Sequence, residues 1–412
     1  MMYNIVIYLY LLGVAIASRF SDKVRKMWRG EREAFGVLRD KVEPGARYVW
    51  FHAASLGEFE QGRPLMEELR RRHPELKILL TFFSPSGYEV RKNYEGADIV
   101  CYLPLDTIGN ARRFLRLVRP EMAFFIKYEF WYNYLHILKR RGVPVYSVSS
   151  IFREGQVFFR WYGRQYGRVL KCFTHFYVQN EQSRDLLASI GLTNVTITGD
   201  TRFDRVLQIK ESAAPVADTI GRLFDSGAKV FVAGSSWPPD EEIFIRYFNE
   251  HPDWKLIIAP HVIGEDHLQQ IEKLLKGRKV ARYTRLSTSS GPEAAEGVSA
   301  LIVDCFGLLS SIYQYATVAY VGGGFGVGIH NVLEAAVWGV PVLFGPNNER
   351  FMEAQQLKAS GGGFDLRNYE DFAGLMSRFA DGDFLRAAGA KAGSYVKGKA
   401  GATRQILSDV GL

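Results

Sequence analysis

Along most of the chain, short apolar runs alternate with longer stretches that mix apolar and charged positions at helical spacing. The short runs predict strands at 48–51, 77–83, 99–103, 122–126, 143–149, 175–178 and 195–198. The longer stretches predict helices at 58–72, 85–93, 109–118, 131–141, 158–170 and 181–190. Strands alternating with helices form βαβ units, which build a mainly parallel sheet. The pattern breaks at Gly199-Asp200-Thr201-Arg202-Phe203-Asp204, and residues near 206–225 read as helical without a strong apolar run. It then restarts, with strands at 230–233, 255–259, near 281, 301–303, 318–321 and 340–344. Helices are expected at 240–248, 265–275, 308–315 and 331–338, and further helices close the chain. Residues 286–297, rich in Ser, Gly and Glu, read as a surface loop. No fixed-period repeat accompanies this doubling. The predicted fold class is α/β: two doubly wound parallel-sheet, Rossmann-like domains facing one another across a cleft. In such sheets ligands bind outside the carboxyl ends of the strands.

The first 17 residues stand apart. They are apolar and uncharged, include Tyr3, Tyr8 and Tyr10, and are at the short end for a spanning helix. Arg19, Lys23, Arg25, Lys26, Arg29 and Arg32 follow at once. Ala15-Ile16-Ala17 resembles a signal-peptidase site, but no positive charge precedes the apolar run. Charge placed after the run favours an N-terminal membrane-anchor helix with the body of the protein in the cytoplasm. The expected domains are an anchor at 1–18, an N-terminal α/β domain at 19–206, a C-terminal α/β domain at 207–395 and a C-terminal helix at 396–412.

Composition narrows the partners. With 412 residues, 47% of them hydrophobic, the chain can bury a substantial core. A net charge of +8 favours anionic partners such as phosphorylated lipid, nucleotide or nucleic acid. Cys101, Cys172 and Cys305 are far apart and form no CxxC, so neither a disulfide framework nor a zinc cluster is suggested. The histidines form no HxH or HxxxH pair, and Asp381-Gly382-Asp383 reads as a turn between two late helices. No metal or other cofactor is expected.

Candidate chemistry lies at the strand ends. In His52-Ala53-Ala54-Ser55-Leu56-Gly57-Glu58 a carboxylate follows a glycine where a strand turns into a helix. The glycine admits a substrate and the helix N-terminus orients the acid. The same residues also read as an ordinary helix start, with Ser55 as N-cap and Glu58 in the capping-box position. In the second half, Gly322-Gly323-Gly324-Phe325-Gly326-Val327-Gly328-Ile329-His330-Asn331-Val332-Leu333-Glu334 follows a strand and opens a helix. Bare backbone N–H groups and a positive helix end would make a phosphate site there. The spacing fits neither the dinucleotide fingerprint nor the Walker loop, whose Lys-Ser/Thr is replaced by Ile329-His330. Glu334 is placed either to accept from ribose hydroxyls or to stabilise its own helix start, and Asn331 is either a ligand or an N-cap. Gly234-Ser235-Ser236-Trp237, Pro260-His261 and Asp304-Cys305-Phe306-Gly307-Leu308 each follow a strand of the same half, and four such loops at one sheet edge describe a nucleotide site. In the first half, Phe125-Ile126-Lys127-Tyr128-Glu129-Phe130-Trp131 sets Glu129 among aromatics, where an unpaired carboxylate is costly. An ion pair with a neighbouring Arg or Lys is the plainer reading. Arg202 is either a fixed positive charge facing the cleft or a solvated linker residue.

Taken in order, the anchor and the stretches 52–58, 127–131, 199–204, 234–237, 260–261 and 322–334 resemble the Kdo (3-deoxy-D-manno-octulosonic acid) transferases of lipopolysaccharide assembly, which have the GT-B fold. The resemblance covers nearly the whole chain and rests on the combination. It implies an inverting transfer of Kdo from CMP-Kdo to the lipid A precursor, lipid IVA, at the cytoplasmic face of the bacterial inner membrane. CMP-Kdo would be a co-substrate, with no metal and no nucleic-acid partner. The resemblance places Glu58 on the general base. It places Pro260, His261, Phe306, Gly307, Leu308, Asn331, Val332, Leu333 and Glu334 on CMP-binding segments. Ser235, Ser236, Gly324 and His330 complete the expected CMP site. Arg202 falls where the family usually has a lysine that assists the transition state. At Lys127 the chain departs from the family, which commonly has two carboxylates two residues apart: either Glu129 carries the role alone, or Lys127 contributes as a cation.

The implied chemistry suits these residue types. A sugar hydroxyl is a poor nucleophile until a base removes its proton. CMP leaves with its charge stabilised, for which helix N-termini, His261 and Arg202 are suited. Arg63, Arg70, Arg71, Arg112 and Arg113 would favour a phosphorylated lipid at an anionic membrane, or are solvated helix faces. Two other readings remain: a GT-B transferase or epimerase using a UDP-sugar, and a membrane-tethered nucleotide-binding protein without catalysis. No aromatic-interleaved basic module of the RNA-binding type is visible.

Overall fold

The computed structural model describes residues 2–212, 220, 221, 223, 227–288 and 296–412. The chain divides into two units: unit 1 is Met1–Arg205 with Ala400–Leu412, and unit 2 is Val206–Lys399. The closing stretch therefore returns to unit 1 instead of standing as a separate helix at 396–412. Ile406 and Leu407 of helix Ala402–Asp409 are buried in a unit 1 core cluster.

Unit 1 begins with α1 (Met2–Ala17) and α2 (Asp22–Lys41). Its strands are β1 (Tyr48–Ala53), β2 (Lys77–Phe82), β3 (Ile99–Tyr102), β4 (Met122–Ile126), β5 (Val145–Ser150), β6 (His175–Val178) and β7 (Val195–Ile197). Among the described residues they form one sheet in the order β3-β2-β1-β4-β5-β6-β7, with every neighbouring pair parallel. A parallel strand is covered on both faces, which is why β1 is nearly all apolar. Its alternate residues serve two cores. Tyr48 and Trp50 join Ala34, Phe35 and Leu38 of α2. Val49, Phe51 and Ala53 join Phe59, Leu65 and Leu69 of α3 (Leu56–Arg72). The chain lays β2 and β3 on one side of β1 and then crosses to β4 on the other. The carboxyl ends of β1 and β4 thus flank the topological switch point, where such sheets open a crevice.

Unit 2 repeats the plan. β8 (Lys229–Ser236), β9 (Trp254–Pro260), β10 (Val280–Arg282), β11 (Ala300–Ile302), β12 (Val318–Val321), β13 (Val342–Phe344) and β14 (Gly363–Asp365) run in the order β10-β11-β9-β8-β12-β13-β14. All neighbours are again parallel. Phe231, Phe244, Phe248, Tyr320 and Phe372 centre its core. Its switch point lies between β8 and β12.

Several expectations need correction. Residues 158–170 are not one helix. They fold as 3-10 turns at Val157–Phe159, Trp161–Gly163 and Arg168–Cys172, with one α turn at Arg164–Gly167. A Cβ on Gly163 would collide with the Val157 carbonyl, so the chain packs there more tightly than a regular helix allows. The helix expected at 331–338 is only Leu333–Ala336. Tyr283–Thr288 is helical, so the loop expected at 286–297 does not begin until later, and 289–295 lie outside the described residues. Helix Arg202–Ser212 meets the helical expectation near 206, while most of 213–226 lies outside the described residues. α2 was not foreseen, although Met27, Ala34, Phe35 and Leu38 make a helical apolar stripe.

The expected spanning anchor is also not what the structure shows. Among the described residues no helix is long and apolar enough to cross a membrane. α1 has 16 residues, a length of about 24 Å against the roughly 30 Å of a bilayer core. It also packs on unit 1: Tyr3 Oη donates to Asp106 Oδ2 at 2.7 Å, Asn133 Nδ2 donates to Asn4 Oδ1 at 2.8 Å, and Val14 is buried. Ile5, Val6, Leu9, Leu12 and Ile16 remain exposed.

Candidate active site

Glu58, Lys127 and Glu129 lie at the β1–β4 switch point and the glycine loop at the β8–β12 one, while Arg202 follows the edge strand β7 and Phe306 follows β11. In unit 1, β1 ends at Ala53 and α3 starts at Leu56, so Glu58 lies in the first helical turn. Its Oε2 accepts from Ala54 N at 2.5 Å and Ser55 N at 3.1 Å. Glu58 therefore caps its helix and still stands at the crevice. Burial, then the charge of Glu129, raises its carboxyl to about 7; the Ala54 amide, Lys127 and the Ser55 amide pull the other way. A carboxyl poised near neutrality can take a proton.

β4 supplies the neighbours. Two side chains from the strand ends hold Glu129. Its Oε2 accepts from Trp131 Nε1 at 2.6 Å and lies 3.1 Å from Nε2 of the buried His52. His52 Nδ1 in turn lies 2.9 Å from Thr81 Oγ1, and Thr81 Oγ1 accepts from Trp50 Nε1 at 2.8 Å. A chain of side chains across β1, β2 and β4 thus fixes Glu129. Lys127 follows β4 with φ 62°, a left-handed backbone that is strained for a lysine and characteristic of functional sites. Its N–H donates to Val148 O at 2.9 Å, and Ser150 Oγ donates to its carbonyl at 2.8 Å. These two bonds hold the strained turn in place.

Arg202 is not a loose linker residue. It opens helix Arg202–Ser212, and its Nε donates to the buried Asp200 at 2.9 Å. Burial opposes an ionised Asp200, but Arg202 and the amide of Gln61 outweigh it and hold the carboxyl below its usual range. Gln61 lies on α3, and Thr201 Oγ1 donates to Gln61 O at 2.5 Å. The helix that carries Glu58 and the segment that carries Arg202 are thereby tied together.

In unit 2 the loop ends of β8, β9 and β12 converge. His261 N donates to Ser236 O at 2.9 Å, joining β9 to β8. Trp237 stacks on His261 with centroids 4.8 Å apart, and His261 stacks on His330 at 4.4 Å. Trp237 Nε1 donates to His330 Nε2 at 3.4 Å. An indole N–H can only donate, so the His330 ring carries its proton on Nδ1. Burial, then neighbouring His261, lowers the His330 imidazole to about 4, in keeping with a neutral ring.

Part of the glycine loop, where bare N–H groups were expected, is bonded within the protein. Gly322 N donates to Gly234 O, Gly326 N and Gly328 N donate to Gly323 O, and His330 N donates to Gly322 O. Gly323 N donates to Asp240 Oδ2 at 3.0 Å. Leu333–Ala336 is too short to present a helix dipole. Gly324 is a glycine because the loop after β13 presses on it: a Cβ would meet the Gly345 backbone. Val332 and Leu333 are buried. Glu334 is engaged within the protein, accepting from Ser310 Oγ at 2.5 Å and from Asn331 Nδ2 at 3.0 Å. Ser236 donates to Glu241 Oε1 at 2.8 Å and faces inward, whereas Ser235 sits in the left-handed region with φ 53°. Phe306 is 75% exposed, followed by Gly307 with φ 93° and the half-buried Leu308.

Sequence reasoning missed the acids that hold these loops. Asp240 accepts from Trp237 N, Gly323 N and Tyr320 Oη, the last at 2.6 Å. Glu241 joins Ser236 to His267, whose Nε2 lies 2.8 Å from Glu241 Oε2. The signal was present: Pro238-Pro239-Asp240-Glu241 puts prolines and then acids in a first helical turn. Among the described residues no group of three or more His, Cys, Asp or Glu is placed to hold a metal ion.

Two Rossmann-like units of this topology resemble the GT-B fold. The solved UDP-GlcNAc 2-epimerase of Neisseria meningitidis shares this fold, with a TM-score of 0.60 and 13% identity over 88% of this chain and 99% of that one. More particularly, residues 29–205 match the family described as 3-Deoxy-D-manno-octulosonic-acid transferase (kdotransferase). The chain is 28% identical to the 3-deoxy-D-manno-octulosonic acid transferase of Aquifex aeolicus over 78% of this chain and 82% of that protein. It is also 28% identical to the Bordetella pertussis protein of the same name, over 92% of this chain and 94% of that protein. The resemblance to the Kdo transferases holds.

Proposed function

We propose that this protein is an inverting glycosyltransferase that moves Kdo from CMP-Kdo to the phosphorylated lipid A precursor, lipid IVA, in lipopolysaccharide core assembly. The observation that carries this reading is Glu58: a carboxyl at the β1–β4 switch point, raised to about 7 and set beside Glu129, in a chain similar to named Kdo transferases. Glu58 removes the acceptor hydroxyl's proton as that oxygen attacks the Kdo anomeric carbon and the bond to CMP breaks. A single displacement of this kind inverts the centre. His52 and Trp131 hold Glu129 in position, and Arg202, fixed by Asp200, supplies positive charge. In unit 2, the Trp237–His261–His330 stack and the exposed Phe306 ring offer aromatic faces for the cytosine, with Ser235 at the strand end. No metal is required, because a departing CMP needs charge stabilisation and not a proton. The exposed apolar residues of α1, with the basic residues after it, hold the protein on the cytoplasmic face of the bacterial inner membrane.

The test is incubation of the purified protein with CMP-Kdo and lipid A precursor, with mass analysis of the product. Glu58→Gln should lower transfer by about 10²–10⁴-fold and leave the affinity for CMP within about twofold. A protein whose melting temperature rises with UDP but not with CMP would belong to the UDP-sugar reading instead.

A further inference from the structure

The turn at Trp161–Gly163 is used by neither candidate site. Its flanks are firmly built: Phe158, Val169, Leu170 and Cys172 lie in the unit 1 core. The tight contact of Gly163 with Val157 fixes the turn itself. Trp161 and Tyr162 are thereby held outward, 83% and 64% exposed. Adjacent large aromatics left in water beside a basic groove call for a partner. Trp161 borders a groove of about 590 Å³ whose charged lining, among the described residues, is Arg160, Arg168 and Lys171, with no acid. Lys139 adds to this charge, donating to the Lys171 carbonyl at 2.5 Å. Aromatic contacts continue the groove to α1: the Tyr166 ring lies 5.4 Å from Phe158 and 6.1 Å from Tyr3.

We propose that this groove is a second membrane contact, in which Trp161 and Tyr162 enter the headgroup boundary of an anionic bilayer and Arg160, Arg168 and Lys171 meet lipid phosphates. The proposal rests on the membrane reading of α1 given above and deepens it to a two-point footing. The chemistry selects a lipid surface. Trp and Tyr have an apolar body and a polar tip and favour the interface. Each basic side chain near an anionic leaflet strengthens binding roughly fivefold, and three of one sign without an acid complement a phosphate layer.

Vesicle flotation of the full-length protein tests this, comparing vesicles that contain phosphatidylglycerol with phosphatidylcholine alone. The triple variant R160Q/R168Q/K171Q should bind the anionic vesicles at least tenfold more weakly and show a smaller salt dependence, the basic residues after α1 supplying what remains. Lipids with brominated acyl chains should quench tryptophan fluorescence in the wild type and clearly less in Trp161→Phe. Kdo transfer to acceptor in detergent micelles should be unchanged in both variants. If the wild type binds but the triple variant binds within twofold and Trp161→Phe is quenched equally, the groove proposal fails while the α1 reading stands. If the wild type does not bind at all, both fail. A dimer in sedimentation that W161A/Y162A dissociates, with vesicle binding unaltered, would overturn the proposal in favour of a protein interface.

Discussion

Glu58 does two jobs whose demands conflict. As a helix cap it is best ionised, accepting from Ala54 and Ser55; set near Glu129 and out of water, it is pushed towards the protonated form. The outcome near 7 places the acid limb of activity within the physiological range. A base must be deprotonated, so kcat/KM should fall about tenfold for each pH unit below about 7. Glu129→Gln removes a like charge and should move that limb to lower pH. Lys127→Met removes a favourable charge and should move it to higher pH. Either shift in the opposite direction, read from pH–rate profiles, would rule out this coupling. The Glu58 cap was legible in the sequence, and the catalytic placement proposed for Glu58 uses the same first helical turn. Glu129 was legible as a candidate but its partners were not, since His52 and Trp131 reach it from different strand ends. At Glu334 the sequence did not reveal its partners, the side chains of Ser310 and Asn331, which engage its oxygens.

Among the elements, three pieces of unit 2 share one acid. Asp240 ties the end of β8, the end of β12 and the glycine loop through Trp237, Tyr320 and Gly323. Asp240→Ala would leave buried donors without an acceptor, at roughly 1–3 kcal/mol each. It should lower the melting temperature and weaken CMP binding by tenfold or more, measured by calorimetry; unchanged affinity would show that the clamp does not shape the nucleotide site. The strands were readable because parallel strands buried on both faces are continuous apolar runs, as β1 and β12 are. The segment 157–172 was misread because Phe158, Val169 and Leu170 fit a helical stripe. Tertiary packing at Gly163 then overrode that periodicity. The internal bonding of the glycine loop was invisible for a related reason: a glycine count does not reveal which carbonyl each N–H will meet.

For the whole molecule, the last 13 residues matter beyond their number. Asp204 accepts from Gly401 N at 2.6 Å and from Thr403 N at 2.7 Å, and Ile406 and Leu407 pack in the same cluster as Leu65 and Leu69 of α3. Truncation after Lys399 should destabilise unit 1, with a transition in calorimetry several degrees lower, and should reduce transfer although no candidate site residue is removed. An unchanged transition would show that the contact is dispensable.

Unit 2 is therefore an uninterrupted insertion, while unit 1 is written in two pieces that open and close the chain. During synthesis the inserted unit has all its residues available before its host does. The helix that bears Glu58 gains Ile406 and Leu407 as packing partners only after unit 2 has been translated. The surroundings of Glu58 are therefore completed after those of unit 2, although Glu58 itself is made long before it.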